Sequence, residues 1–240
     1  MRFQLLNRLL LILAASFLAL SCDLPRDQKN TLKRVQSERR VRVGLIENEP
    51  WVRRGASGEP TGVEVELVRR FAAELGVTPE WLWQNEQEAM EALKRFEFDL
   101  VVGGLTESTL WKDEIGLTNS YFTDRIVVGT PSSAQTVKGI EGINVAVERD
   151  DLLTAALVSE EDATPVRVEN LSPATETAAA HDWQLEQLGF NLTDIELQKD
   201  EHVIAVAPGE NGWLGRLEEF LKAQRPAIKN MLQQEFGEGR

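Results

Sequence analysis

In residues 41–104, two helical patterns separate three strand patterns, and this alternation restricts the fold more than any other feature of the chain. The strand patterns are VRVGLI (41–46), TPEWLWQ (78–84) and DLVVGG (99–104). Strands that alternate with helices in this way form βαβ units, whose crossovers are right-handed. The sequence therefore predicts an α/β fold built on a parallel sheet.

The first helical pattern has a predicted start and a predicted end. Thr61 and Glu64 have the spacing of a capping box, and Gly76 is typical of the residue just past a helix. Apolar residues recur between them at helical spacing, namely Val65, Val68, Phe71, Ala72 and Leu75. The same spacing of Met90, Leu93 and Phe96 predicts the second helix.

A second series of strands and helices follows a predicted change of domain at Pro131-Ser132-Ser133. Further strands are predicted at RIVVGT (125–130), INVAVE (143–148), VRVENL (166–171) and HVIAVAP (202–208). Helices are predicted to open at Asp150 or Asp151, to run through Trp183 to Leu188, and to span Asn211 to Phe236. The whole chain is therefore predicted to be α/β, in one domain or two.

Charge and composition exclude several classes of function. The 240-residue chain has a formal net charge of −13, which argues against nucleic acid as a partner. It contains one cysteine and two histidines, too few for the usual Cys/His zinc site. A metal site made only of carboxylates remains an alternative, although no recognisable loop spacing supports one. We predict neither a metal nor a cofactor.

The N-terminus has the pattern of an export signal. Arg2 and Arg8 precede an apolar run at residues 9–20, which is too short to span a bilayer. The following Ala19-Leu20-Ser21-Cys22 resembles a bacterial lipobox. The alternative is a cleaved signal peptide with an incidental cysteine.

The lipobox resemblance implies a signal peptide at residues 1–21 and lipidation of Cys22. Asp23 resembles the signal that retains Gram-negative lipoproteins at the inner membrane. The predicted location is thus the periplasmic face of the inner membrane, with a lipid anchor. Residues 23–38 are polar and aperiodic, so residues 22–38 are predicted to be a flexible tether.

The stretch VVGGLTESTLWK (101–112) ends a predicted buried strand with two glycines. Gly104 would let a ligand approach the backbone, and Thr106 offers an amide N–H and a hydroxyl. A plain strand-to-helix turn would use the same residues, with Gly at positive φ and Thr or Ser as the cap.

Three blocks resemble the family 3 solute-binding proteins of ABC importers, namely GEPTGVEVELVRRFAAELG (58–76), ALKRFEFDLVVGGLTEST (92–109) and IGLTNSYF (115–122). The second half resembles the family at KGIEGINVAV, AAAHDWQLEQLG and HVIAVAPGENGWL. The resemblance implies a two-lobed, type II periplasmic-binding-protein-like fold with two crossing strands. Lobe I is predicted at 39–129 plus 207–240, and lobe II at 130–206. Relatives carry an additional helix between the segments that correspond to VRVENL and AHDW, and this sequence lacks it. The second lobe is therefore predicted to be shortened.

The resemblance also implies ligand-binding residues in a cleft between the lobes, namely Glu47, Trp51, Gly104, Thr106, Trp111, Asp150 and Asp182. Asp182 matches the carboxylate that receives a ligand ammonium, and Trp51 matches a stacking aromatic. Trp111 stands where relatives carry the arginine that binds the ligand's carboxylate. Asp150-Asp151 replaces the usual Gly-Thr at a helix start. Purely structural roles, such as helix capping by the aspartates and packing by Trp51, are the alternatives.

The predicted function is capture of a small polar, amine-bearing solute, which a monomeric protein delivers to an ABC permease in the inner membrane. Because the candidate lining is acidic and aromatic, it favours ammonium groups. The chain is predicted not to be an enzyme. A dehydratase-like enzyme and a ligand sensor on the same fold are the alternatives.

Overall fold

A computed structural model describes residues 27–131, 137–174 and 177–238. Its strands are β1 (Arg40–Leu45), β2 (Arg53–Arg54), β3 (Pro60–Thr61), β4 (Thr78–Trp83), β5 (Leu100–Val102), β6 (Gly116–Leu117), β7 (Phe122–Thr130), β8 (Asn144–Glu148), β9 (Thr164–Val168), β10 (Ala178–His181), β11 (Asn191–His202) and β12 (Ala205–Val206). Its helices are α1 (Thr31–Glu38), α2 (Val63–Leu75), α3 (Glu86–Lys94), α4 (Leu152–Glu160), α5 (Asp182–Leu188) and α6 (Asn211–Glu238).

Lobe I is built on a sheet with the strand order β4-β1-β5-β12-β6. β1 lies parallel to both β4 and β5, which confirms the parallel sheet predicted from the strand–helix alternation. β12 pairs antiparallel with β5 and β6. The apolar faces of α2 and α6 cover this sheet, where Phe71 packs against Trp213 and Phe220.

The predicted start of α2 is wrong. Its N-cap is Gly62, and no side chain caps the helix. Among the described residues, the hydroxyl of Thr61 has no hydrogen-bond partner, while Glu64 turns into the protein and accepts from the amides of Gly103 and Gly104. Because these tertiary donors satisfy the carboxylate, it does not reach back to the helix start. Gly76 ends α2 in the left-handed conformation, as predicted.

Lobe II is built on a second sheet with the order β11-β7-β10-β8-β9. β8 lies parallel to β9 and β10, and Asp151 caps α4 by accepting from the amide of Thr154 at 2.9 Å. The helix therefore opens at one of the two aspartates that the sequence proposed. Residues 169–174 carry no helix, so the connection from β9 towards β10 is short in the part of the chain that the structure describes.

Two long antiparallel strands, β7 and β11, join the lobes. Their pairing runs from Asn191 opposite Thr130 to His202 opposite Phe122, with register shifts near Glu196. The strand predicted at 202–208 is wrong in its bounds, because His202 ends β11 and only Ala205–Val206 joins the lobe I sheet. The sequence pattern did not predict β11, whose burial does not alternate regularly.

The C-terminal helix α6 contacts both lobes. Its first turns lie in the lobe I core, with Trp213 fully buried. Its last turns reach α5, where Phe236 meets Trp183 edge-to-face at 5.8 Å between ring centroids. In the same region, the side chain of Gln233 donates to the carbonyl of Trp183 at 3.3 Å.

The predicted flexible tether at 22–38 is wrong for the part that the structure describes. Thr31–Glu38 forms helix α1, with Val35 buried in the lobe I core. The carboxylate of Glu210 accepts from the amide of Thr31 at 2.9 Å, and that of Asp27 accepts from the amide of Trp213 at 3.0 Å. These reciprocal bonds tie α1 to the start of α6, which a local polarity pattern does not reveal.

The predicted signal peptide and Cys22 lie outside the described residues, as do Ser132 and Ser133. Among the helices of the described residues, none is long and apolar enough to cross a membrane.

Candidate functional site

The carboxyl ends of the parallel strands in lobe II meet at a groove between the lobes. β8 ends at Glu148, β9 at Val168 and β10 at His181, and residues 148–151, 169–170, 181 and 183–184 line the groove on this side. The opposite wall comes from Glu49, Pro50 and Arg53 of lobe I and from Glu235 and Phe236 of α6. The groove has a volume of about 720 Å³. We call it the interlobe groove.

The interlobe groove is acidic. Its lining includes six carboxylates, from Glu49, Glu148, Asp150, Asp151, Glu169 and Glu235, against the two arginines Arg53 and Arg149. Both arginines pair with groove carboxylates, Arg53 with Glu235 at 3.0 Å and Arg149 with Glu169. The remaining negative charge makes the groove attractive to cations.

A buried carboxylate, Asp124 on β7, lies behind the groove and joins rings from different parts of the chain. It lies 3.0 Å from Nδ1 of His181 and accepts from the indole N–H of Trp183 at 3.2 Å. Nε2 of His202, at the end of β11, is 3.7 Å from its other oxygen. Burial alone would raise the pKa of Asp124, but the hydrogen bonds and charges of the two histidines lower it well below its usual range.

His181 connects this carboxylate to the groove, because it lines the groove and its side chain is 31% exposed. Burial disfavours the protonated form of the ring and would lower the pKa of His181. The hydrogen bond and charge of Asp124 outweigh burial and raise this pKa above its ordinary value. The ring stacks on Trp183 at 5.3 Å between centroids. Gln184, next to Trp183, donates to Glu148 at 3.0 Å.

The lobe I strand ends are filled by the protein's own side chains. Trp51 is 4% exposed and packs on His202 with 3.9 Å between ring centroids. Gly104 has φ +66°, and a Cβ there would come within 2.5 Å of the Trp51 ring and 2.6 Å of Asn48. The missing side chain of Gly104 therefore makes room for Trp51.

Beneath this packing, Glu64 is fully buried and accepts three hydrogen bonds. They come from the amides of Gly103 at 2.6 Å and Gly104 at 2.8 Å, and from the hydroxyl of Tyr121 at 2.6 Å. Burial raises the pKa of Glu64, although these hydrogen bonds act in the opposite direction. The carboxylate thus holds the end of β5 and the chain before β7 together.

The predicted ligand-binding residues do not all come together. Asp150 lines the interlobe groove. Trp51 and Gly104 pack on each other next to His202 in the lobe I interior. Their proposed contact with a ligand stays a prediction.

Thr106 and Trp111 lie in the loop after β5. The hydroxyl of Thr106 is 2.7 Å from that of Ser108, and its backbone forms a bridge with His202. Trp111 is half-buried and packs on the α3 side of the lobe I sheet, with Nζ of Lys94 5.6 Å from its ring centroid. Neither residue lines the groove.

Asp182 and Glu47 each pair with an arginine of the protein. Arg125 donates to Asp182 from Nε at 3.0 Å and from Nη2 at 2.7 Å. Arg54 donates to Glu47 at 3.4 Å. The role of Asp182 as partner of a ligand ammonium stays a prediction, and that ammonium would compete with Arg125.

Sequence reasoning missed several groove residues, namely Glu148, Glu169, His181, Gln184 and Glu235. Glu148 and Glu169 lie at the ends of two predicted parallel strands, where ligands favour binding, so their positions carried a signal. Glu235 reaches the groove only because α6 extends to lobe II, which the helical pattern does not show. Within the described residues, no group of three or more His, Cys, Asp or Glu side chains could hold a metal ion.

Part of the chain is similar in sequence to a longer known protein. Membrane-bound lytic murein transglycosylase F of Vibrio parahaemolyticus serotype O3:K6 (strain RIMD 2210633) is 32% identical over 108 residues, which is 45% of this chain. The chain spans about a fifth of that relative, since the match covers 20% of its length.

Solved structures share the fold at low sequence identity. An ancestral cationic amino acid solute-binding protein superposes with a TM-score of 0.65 at 18% identity, over 86% of this chain and 100% of the other. The substrate-binding protein of a polar amino acid ABC uptake transporter from Streptococcus thermophilus superposes with a TM-score of 0.66 at 14% identity, over 86% and 88% of the two chains.

The family profile decides the assignment. The model of the family described as "Bacterial extracellular solute-binding proteins, family 3" matches residues 41–238, which include both lobes and both crossing strands. The two-lobed α/β fold predicted from the sequence is confirmed by these superpositions. The chain therefore belongs to family 3 of the bacterial extracellular solute-binding proteins.

Proposed function

We propose that the protein captures a small polar, amine-bearing solute in the interlobe groove and delivers it to an ABC permease of the inner membrane. The observation that carries this proposal is the convergence of six carboxylates from both lobes and α6 on one groove. An ammonium or guanidinium group gains from this negative potential, whereas an anionic solute is repelled.

The arrangement of the groove fits a two-lobed binder. Its walls belong to different lobes, and a ligand that contacts both would shift the protein towards a closed state. The two superposed proteins are described as binding cationic and polar amino acids, respectively. An amine-bearing solute is consistent with both descriptions.

Calorimetric titration with arginine, putrescine and glutamate tests the proposal. We expect the two amines to bind and glutamate to bind weakly or not at all. Asp150→Asn and Glu148→Gln should each weaken the binding of the amines by about two- to fivefold, because each removes one partly exposed carboxylate.

Glu88→Gln is the matched control, since it removes an exposed carboxylate of α3 outside the groove. Tight binding of glutamate that the groove variants leave unaltered would contradict the proposal. If arginine is recovered unchanged after incubation, the dehydratase-like alternative is disfavoured for this solute. Scattering that shows no compaction on binding would favour a rigid sensor.

We also propose that the mature protein is attached to the inner membrane through lipidated Cys22. Cys22→Ala should release the protein into the soluble periplasmic fraction, because several acyl chains on one residue give stable anchoring that the polypeptide would then lack. Fractionation followed by immunoblotting measures this. Membrane retention of the variant would count against a lipid anchor at this residue.

A further inference from the structure

An amino-acid ligand needs a partner for its carboxylate as well as for its amine. Trp111, which the sequence resemblance matches to a carboxylate-binding position, packs its ring on the α3 side of lobe I and does not line the groove. In the groove, Arg53 is held by Glu235 and Arg149 by Glu169. An unpaired ligand carboxylate in a partly desolvated groove would be unfavourable.

His181 has the geometry to receive that carboxylate. Nδ1 faces Asp124 at 3.0 Å, which leaves Nε2 as the ring atom available to a molecule in the groove. Asp124 is 6% exposed and also accepts from Trp183, so its position is fixed by the surrounding rings. A carboxylate that holds one imidazole nitrogen orients the ring and stabilises its protonated form.

We infer that His181, oriented by Asp124, anchors the carboxylate of the solute, so that the groove selects amino acids with an amine-bearing side chain over simple amines. This inference rests on the proposed function. His181 acts as a donor to the ligand, while the groove carboxylates receive its ammonium or guanidinium group.

Several charged groups act on His181 directly, are paired with groups that do, or line the same groove. They are Asp124 and Arg125 on β7, His202 on β11, Glu148 at the end of β8, Asp151 at the start of α4, Asp182 on α5, and Glu235 of α6 with Arg53. Arg125 is bound to Asp182 and Arg53 to Glu235, so the environment of the ring is negative overall.

This environment sets the direction in which binding of the solute carboxylate changes with pH. Because the pKa of His181 is raised, its ring stays protonated to a higher pH than a free imidazole, and Nε2–H can donate to a carboxylate. As the pH rises through that pKa, the ring loses its charge and the carboxylate loses its anchor. A bound carboxylate should raise the pKa further, whereas a bound amine without a carboxylate should lower it.

Arginine and its decarboxylated form, agmatine, are the matched probes. At about pH 5.5 the protein should bind arginine at least about tenfold more tightly than agmatine, and at about pH 8.5 this preference should be largely lost. His181→Asn keeps an amide donor for Asp124 but removes Nε2, so it should bind both probes with similar affinity at both pH values. Asp124→Asn should shift the loss of preference to lower pH.

Imidazole NMR provides a second readout, because the chain contains only two histidines and the signal lost in His181→Asn identifies His181. Arginine should raise the midpoint of its titration, and agmatine should lower it. Equal affinities at both pH values, with an unmoved midpoint, would overturn this inference while the proposed function stands. Failure of both probes to bind would reject the proposed function and this inference with it.

Discussion

Glu64→Ala should lower the free energy of unfolding by about 3 kcal/mol or more. The substitution leaves the amides of Gly103 and Gly104 and the hydroxyl of Tyr121 buried without their acceptor. Each buried donor without a partner costs about 1–3 kcal/mol. Urea unfolding followed by tryptophan fluorescence measures the loss.

Glu66→Ala on the same helix is the matched control. Its carboxylate pairs with Arg70 one turn later at a half-exposed position, so its loss should cost about 0.5 kcal/mol or less. Equal losses for the two variants would show that the buried carboxylate does not hold the β5 turn.

Glu64→Gln separates the hydrogen bonds from the charge. The pKa of Glu64 is raised by burial, so the folded state holds its proton at pH values where the unfolded chain has released it. This contribution is present below the unfolded pKa of about 4.3 and is lost as the pH rises through the folded pKa. The stability of the wild type relative to Glu64→Gln should therefore fall over that range, and a rise would contradict the assignment.

Trp51→Ala should lower the free energy of unfolding by about 3–5 kcal/mol. The ring is 4% exposed and fills the space above Gly104 and His202, so its removal leaves a large cavity. Thermal and urea unfolding measure the loss. If the main role of Trp51 were to stack on a ligand, its removal would lower the free energy of unfolding of the ligand-free protein much less.

Trp111→Ala provides the comparison, because Trp111 is half-buried beside Lys94 and should lose less stability than Trp51. If Trp51→Ala retains wild-type stability and loses only solute affinity, the stacking role predicted from the resemblance would replace the packing role.

Much of the candidate site could not be predicted from local patterns. Asp150 was predicted from the family resemblance, which places Asp150-Asp151 at a helix start where relatives carry Gly-Thr, and the structure places it in the groove. Sequence reasoning missed His181, because only the fold places β10 beside β7 and so brings this ring against Asp124. The resemblance predicts a ligand-stacking role for Trp51, but the fold packs its ring against Gly104 and His202.

The sequence by itself determined the elements whose signals are local. Hydrophobic periodicity located β1, β4, β5, α2 and α3 but not the two-residue strands β2 and β3. Gly76 ended α2, and the tail pattern predicted α6. These features depend on side chains within a few residues of each other, which a linear pattern records.

Only the tertiary structure decided the course of β11, the docking of α1 and the partner of Glu64. β11 is stabilised by long-range pairing with β7, and α1 by Glu210, which lies far along the chain. The interlobe groove likewise collects carboxylates from the end of β8, the segments that follow β8 and β9, α6 and the loop after β1. Buried charges and strand edges are satisfied by whichever donors the fold brings near. The spacing of residues along the sequence does not show which distant residues come close in the folded chain.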